Sequence, residues 1–252
     1  MSLLRIENLS LHFGGVKAID GLDVAIEPGE IFAIIGPNGA GKTSVFNVIS
    51  RVFDPTGGRI VFRDADITHL PRHAIAGRRI ARTFQNIELF DKATVLENLM
   101  LGRHRFARGG FMSQLLRLPH VAASERADRE AVEAIIDVLE LSPYRTAPVA
   151  ELPYGVRKIV EIGRALATDP ELLLLDEPAS GLNPEETRDL SFWIEDIRAD
   201  LGVTVVMVEH DMSLVADVAD RVLCMNLGRS LATGTPAEVQ SHPDVVAAYL
   251  GA

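Results

Sequence analysis

Apolar positions along the chain change period several times, and each change marks an element. Leu4, Ile6 and Leu9, then Leu22, Val24 and Ile26, recur at or near every second residue, the spacing of strands with one buried face. After the turn Glu27-Pro28-Gly29, the run Ile31-Phe32-Ala33-Ile34-Ile35 is continuously apolar, as a central strand covered on both faces requires. Leu172 to Leu175 and Val203 to Val208 repeat that signal. Helical spacing lies between them. Val132, Ile135, Ile136 and Leu139, within Ser124 to Leu141, share one face. Thr94 with Glu97 makes a capping-box pattern ahead of Leu96, Leu99 and Met100. Asn183-Pro184-Glu185-Glu186 offers a cap, Pro at the first helical position and two acids in the first turn. Apolar strands alternating with helices predict an α/β core on a parallel sheet. The helix-rich stretch 87–160 interrupts the core 1–86 and 161–252, and reads as an inserted subdomain.

Composition changes this picture little. With 252 residues, 47% hydrophobic and 24% charged, the chain can bury a sizeable core. The formal charge of -10 (25 Lys+Arg against 35 Asp+Glu) argues against nucleic acid as a partner, because phosphate neutralisation needs clustered bases. The one cysteine, Cys224, sits in Val222-Leu223-Cys224-Met225 and reads as a buried strand residue. It can form no internal disulfide, and a reducing, cytosolic setting is expected. Met1 to Glu7 lacks the apolar core of a signal peptide, and no stretch approaches the ~18 apolar residues of a membrane helix. Work at a membrane is therefore expected to run through partners.

Gly36-Pro37-Asn38-Gly39-Ala40-Gly41-Lys42-Thr43 matches G-x-x-x-x-G-K-[ST], with a buried strand before it and the helix-compatible Ser44 to Ile49 after it. Glycines let successive N–H groups turn towards phosphate oxygens, and the helix start adds its dipole. Lys42 is expected on the β- and γ-phosphates, and the Thr43 hydroxyl on Mg²⁺. Leu172 to Leu175 ends in Asp176-Glu177-Pro178, so a rigid strand delivers two carboxylates. Asp176 suits Mg²⁺ through water, and Glu177 suits a general base that polarises the attacking water. His210, in Val208-Glu209-His210-Asp211 at the end of the next apolar strand, can contact the γ-phosphate.

In that order, Leu-Leu-Asp-Glu-Pro, Ser180-Gly181-Leu182-Asn183-Pro184 and His210 downstream of such a loop resemble the nucleotide-binding subunit of an ABC transporter. The resemblance covers essentially the whole chain. It implies a P-loop NTPase (RecA-like) core, an N-terminal antiparallel β-subdomain and an inserted helical subdomain. Gln85, in Arg82-Thr83-Phe84-Gln85-Asn86, matches the family's Q-loop, whose glutamine senses Mg²⁺ and water. Phe13 matches the aromatic that stacks on adenine, with a ring where the family favours Tyr. Ser44 completes the ATP-binding set. Two such domains are then expected to close head to tail on two ATP molecules, as a homodimer or heterodimer.

The family's Leu-Ser-Gly-Gly-Gln signature is here Leu152-Pro153-Tyr154-Gly155-Val156. Pro153 has no hydroxyl for the partner's γ-phosphate, so phosphate sensing in trans falls to backbone groups at Gly155 and the following helix start. The Leu-x-Tyr-Gly form, Glu-His-Asp-Met and the ending through Tyr249-Leu250-Gly251 resemble ATP-binding subunits of branched-chain amino-acid importers. The resemblance implies two permease subunits as partners, a solute-binding protein indirectly, and peripheral placement on the cytoplasmic face of the inner membrane. Urea or short-amide import, and a soluble non-transport ABC ATPase, remain alternatives. The stretch Arg103 to Leu118 mixes Arg103, Arg105, Arg108 and Arg117 with Phe106, Phe111, Met112, Leu115 and Leu116. It reads either as an amphipathic cover over the subdomain or as a contact with membrane subunits or lipid head groups.

Overall fold

Strands open the chain, and the strand β3 runs straight into the glycine-rich loop. The computed structural model describes residues 2–83, 87–106 and 119–250. In chain order the first elements are β1 (Leu4–Phe13), β2 (Val16–Ile26), β3 (Ile31–Ile35), α1 (Lys42–Ile49), β4 (Gly57–Phe62), β5 (Ala65–Asp66), α2 (Arg72–Gly77) and β6 (Ile80–Arg82). The helices α3 (Val95–Arg103), α4 (Pro119–Val138) and α5 (Tyr154–Leu166) follow. The chain closes with β7 (Leu172–Asp176), α6 (Pro184–Leu201), β8 (Thr204–Val208), α7 (Met212–Val218), β9 (Arg221–Asn226), β10 (Arg229–Gly234), α8 (Pro236–Ser241) and α9 (Pro243–Leu250).

Two units result, one from residues 1–85 with 171–252 and one from 86–170. The insert was expected to end at 160. It continues to 170 because α5 packs on α3 and α4, and a cut at 160 would split that helix.

In the first unit, β2-β1-β4-β5 form an antiparallel sheet. The three-residue step from Ile6 to Leu9 has a local cause. Asn8 takes φ 46 at a register shift, which returns Leu9 to the buried face. The second sheet runs β10-β9-β3-β8-β7-β6 and is parallel except for β10. Every residue of β3, β7 and β8 is buried, as their continuous apolar runs require. Register then sets the function-bearing edge. Ile34 lies beside Val208, and Val208 beside Asp176, so the loops leaving these three strands emerge together at their carboxyl ends. Val45, Phe46, Val48 and Ile49 of α1 share one core with Leu4, Leu9 and Leu11 of β1 and with Leu174 and Val206. Phe46 is fully buried there, and truncating it to Ala would cost about 3–5 kcal/mol.

In the second unit, Thr94 Oγ1 accepts from Glu97 N–H at 3.2 Å, and Glu97 returns a carboxylate to Thr94 N–H at 2.8 Å. This closes the expected capping box on α3. Gly163 of α5 faces Leu139 and Leu99, and a Cβ there would fall 3.1 Å from Leu139 Cδ1. Arg103 turns inward, with Nε 2.9 Å from Asp128 Oδ1 and its guanidinium 4.0 Å from the Phe106 ring centre. Arg103 and Phe106 thus serve the subdomain itself. The Arg105 side chain, Arg108, Phe111, Met112, Leu115, Leu116 and Arg117 lie outside the described residues.

Candidate active site

The loop after β3 is wedged against two strands. Gly36 takes φ 146, and a Cβ there would fall 2.2 Å from the Met225 carbonyl; Gly41 takes φ 102, and a Cβ would fall 2.3 Å from the Ala18 carbonyl. No L side chain fits either position. Ala40 N–H closes the turn on Pro37 O at 3.1 Å, while Asn38 and Gly39 form an exposed crest. Gly41 precedes α1 without a side-chain cap, so the N–H groups at Lys42, Thr43 and Ser44 carry no side-chain acceptor. That arrangement receives anions. Lys42 Nζ donates to Gly36 O at 2.7 Å and Pro37 O at 3.1 Å. Burial pulls its pKa below the usual lysine value, and the Glu177 carboxylate pushes it back up. The ammonium therefore stands at the loop within electrostatic reach of the second carboxylate.

Asp176 closes β7 with a side chain only 3% exposed. Its Oδ2 accepts from Arg82 Nη2 at 2.8 Å, and its Oδ1 is buried without a partner among the described residues. Arg82 is held in turn, with Nη1 donating to Asn47 Oδ1 at 2.8 Å and Ser50 Oγ at 2.9 Å. One carboxylate oxygen neutralised and the other unsatisfied is a donor set that fits a hydrated Mg²⁺, with the exposed Thr43 hydroxyl as the further oxygen.

Glu177 takes φ 50, a left-handed conformation uncommon for a residue with a Cβ. It is held there from both sides: its N–H donates to Val208 O at 2.9 Å, and its carbonyl accepts from Ser180 N–H at 3.1 Å. His210 follows β8 by two residues with a side chain 62% exposed. Phe13 ends β1 with its ring edge-on to Phe53, centroids 5.1 Å apart and planes at 77°. Both rings remain partly exposed, as a face offered for stacking must be.

In the first unit the structure thus gathers Gly36 to Ser44, Asp176, Glu177 and His210 at one sheet edge. Gln85 lies outside the described residues. Leu152, Pro153, Tyr154 and Gly155 belong to the second unit. There Leu152 is buried, Pro153 directly precedes α5 without capping it, and the helix start carries no side-chain acceptor. Cys224 is buried in β9 with its thiol pushed up to about 11 by burial, so it packs and does not react. Sequence reasoning missed Arg82 and Phe53. An arginine closing the short apolar strand Ile80-Ala81 was a usable signal; Phe53 carried none.

Residues 19–180 match the family model described as ABC transporter. The chain belongs to the ABC transporter ATPase family. A second model, for branched-chain amino acid ATP-binding cassette transporters, matches residues 229–252 of this ABC ATPase. The chain is 40% identical over 249 residues to the high-affinity branched-chain amino acid transport ATP-binding protein BraF of Pseudomonas aeruginosa, covering 99% of this chain and 98% of that one. It is 41% identical over 251 residues to LivG of Escherichia coli, a protein of the same description, at the same coverage. A crystal structure of the ADP conformation of an ATP-binding cassette of an ABC transporter superposes with a TM-score of 0.87, at 33% identity and full coverage of both chains. As an ABC ATPase, the chain hydrolyses ATP to power transport.

Proposed function

We propose that this ABC ATPase powers import of branched-chain or related hydrophobic amino acids, with its hydrolytic site completed by a second nucleotide-binding chain. Two things support the solute class. The relatives BraF and LivG carry that description along nearly their whole length, and the C-terminal match falls on residues 229–252.

One observation carries the site: β3, β7 and β8 lie in register, so the phosphate loop, Asp176-Glu177 and His210 leave the same sheet edge. Lys42 and the N–H groups of Gly36 to Ser44 bind the phosphates. Phe13 stacks on the adenine. Asp176, Thr43 and Gln85 would hold Mg²⁺, which would neutralise charge on the bound phosphates. Glu177, set in its turn by Val208, accepts the proton of the attacking water, and His210 orients the γ-phosphate. Hydrolysis then breaks the γ-phosphoryl bond and leaves ADP and phosphate. Pro153 offers no hydroxyl, so the start of α5 on a second chain meets the γ-phosphate through backbone N–H groups around Gly155.

Two permease subunits hold the pair at the cytoplasmic face of the membrane, and a solute-binding protein delivers the cargo to them. No helix among the described residues is long and apolar enough to cross a membrane. The test is uptake in membrane vesicles carrying the ATPase with its co-purified permeases and supplied with the solute-binding protein. ATP-dependent accumulation of leucine, isoleucine or valine is expected. Accumulation of urea or short amides in their place would overturn the solute assignment.

A further inference from the structure

Glu209 is fully buried, yet it carries a carboxylate between two loops of the hydrolytic edge. Its Oε1 accepts from Ala179 N–H at 2.7 Å, and its Oε2 accepts from His210 N–H at 2.8 Å and Asp211 N–H at 3.1 Å. Its own N–H donates to Ile34 O at 3.2 Å, on the strand that leads into the phosphate loop. The imidazole of His210 also lies close, with Nδ1 3.7 Å from Oε2.

We propose that Glu209 is a positioning residue that locks the loop after Glu177 to the loop bearing His210, so that base and phosphate contact keep one register. The inference rests on the reading of Glu177 and His210 given above. Three N–H donors from two segments converge on two oxygens. A carboxylate alone meets them, because both its oxygens only accept, whereas an amide turns an NH₂ group towards at least one donor. A buried charge is costly unless it is fully hydrogen-bonded, and here backbone N–H groups supply that compensation. The segments so joined are the ones that must not drift. Ala179 follows Glu177 by two residues, and His210 is the neighbour of Glu209 itself. Glu177 already sits in a strained backbone conformation, which persists only where its surroundings enforce it. Glu209 does not touch substrate, so its loss displaces the reacting groups and leaves the phosphate loop intact.

The experiment compares the full chain with Glu209→Gln and Glu209→Asp, measuring kcat, KM, thermal midpoint and, separately, MgATP affinity. Glu209→Gln should lose about 100-fold in kcat, the scale of an ångström of misplacement, with MgATP affinity within about twofold of the unaltered chain. Glu209→Asp keeps the charge and the contacts to His210 and Asp211 but is too short for Ala179, so it should fall between the two. Unchanged kcat in both variants would overturn the proposal. So would a loss of kcat matched by equal losses of nucleotide affinity and thermal midpoint, or failure of both variants to fold, since either marks a purely structural carboxylate. Absence of turnover in the unaltered chain would instead sink the hydrolytic reading itself.

Discussion

Arg82 Nη2 meets Asp176 Oδ2 at 2.8 Å inside the core, with side chains 10% and 3% exposed. Removing one member of such a pair strands a buried charge. Arg82→Met should therefore cost about 3–5 kcal/mol of stability, read as a lowered urea midpoint. Arg82→Met with Asp176→Asn should recover part of that loss, because the stranded charge is gone. A single-variant cost below about 1 kcal/mol would show the pair to be solvated. The same Arg82→Met chain should need more Mg²⁺ for half-maximal ATP binding, since Asp176 loses the partner that fixes its orientation.

The Phe13–Phe53 pair predicts a division between binding and turnover. Stacking of a base on an aromatic ring is worth roughly 1–3 kcal/mol, so Phe13→Ala should raise KM for ATP by about tenfold or more with little change in kcat. Phe53→Ala, which removes the edge bracing that ring, should raise it less. An unchanged KM in Phe13→Ala would move the adenine elsewhere.

Asp211 caps α7, with Oδ1 accepting from Ser213 Oγ at 2.6 Å, Ser213 N–H at 2.9 Å and Leu214 N–H at 3.3 Å. The Ser213 hydroxyl, above all, holds its carboxyl below the ordinary aspartate value of 3.8. A carboxyl bound more tightly as the anion in the folded chain stabilises the fold above its unfolded pKa. That contribution is lost as pH falls through the depressed folded value. Asp211→Ala should cost about 1 kcal/mol at pH ~7, and its gap from the unaltered chain should shrink below pH 3.8. Urea midpoints across that pH range check it; a gap that widens in acid would contradict it.

The legible parts of the fold were those with local causes. Continuous apolar runs announced β3, β7 and β8, and the Thr94/Glu97 and Asn183/Glu186 caps announced the starts of α3 and α6, where both capping boxes form. β4 and β10 carried a weaker signal, because Gly57-Gly58-Arg59 leaves β4 only three apolar residues, Ile60 to Phe62, and β10 mixes arginine, serine, threonine and glycine with Leu231 and Ala232. The end of the insert was misplaced because what holds α5 there is packing on α3, which no spacing within α5 reveals. The site divides the same way. Gly36 to Thr43 and Asp176-Glu177 are contiguous patterns, so the chain displays them. Arg82 reaches Asp176 across 94 positions and Asn47 across 35, and Glu209 reaches Ala179 across 30, so only folding reveals what they hold.

The most direct test of the whole account is Glu177→Gln with MgATP. General-base loss should lower phosphate release by about 10²–10⁴-fold while nucleotide still binds. The variant should then run as a two-chain assembly retaining one ATP per chain. Phosphate release at the unaltered rate from a single-chain species would contradict both the role of Glu177 and the shared site.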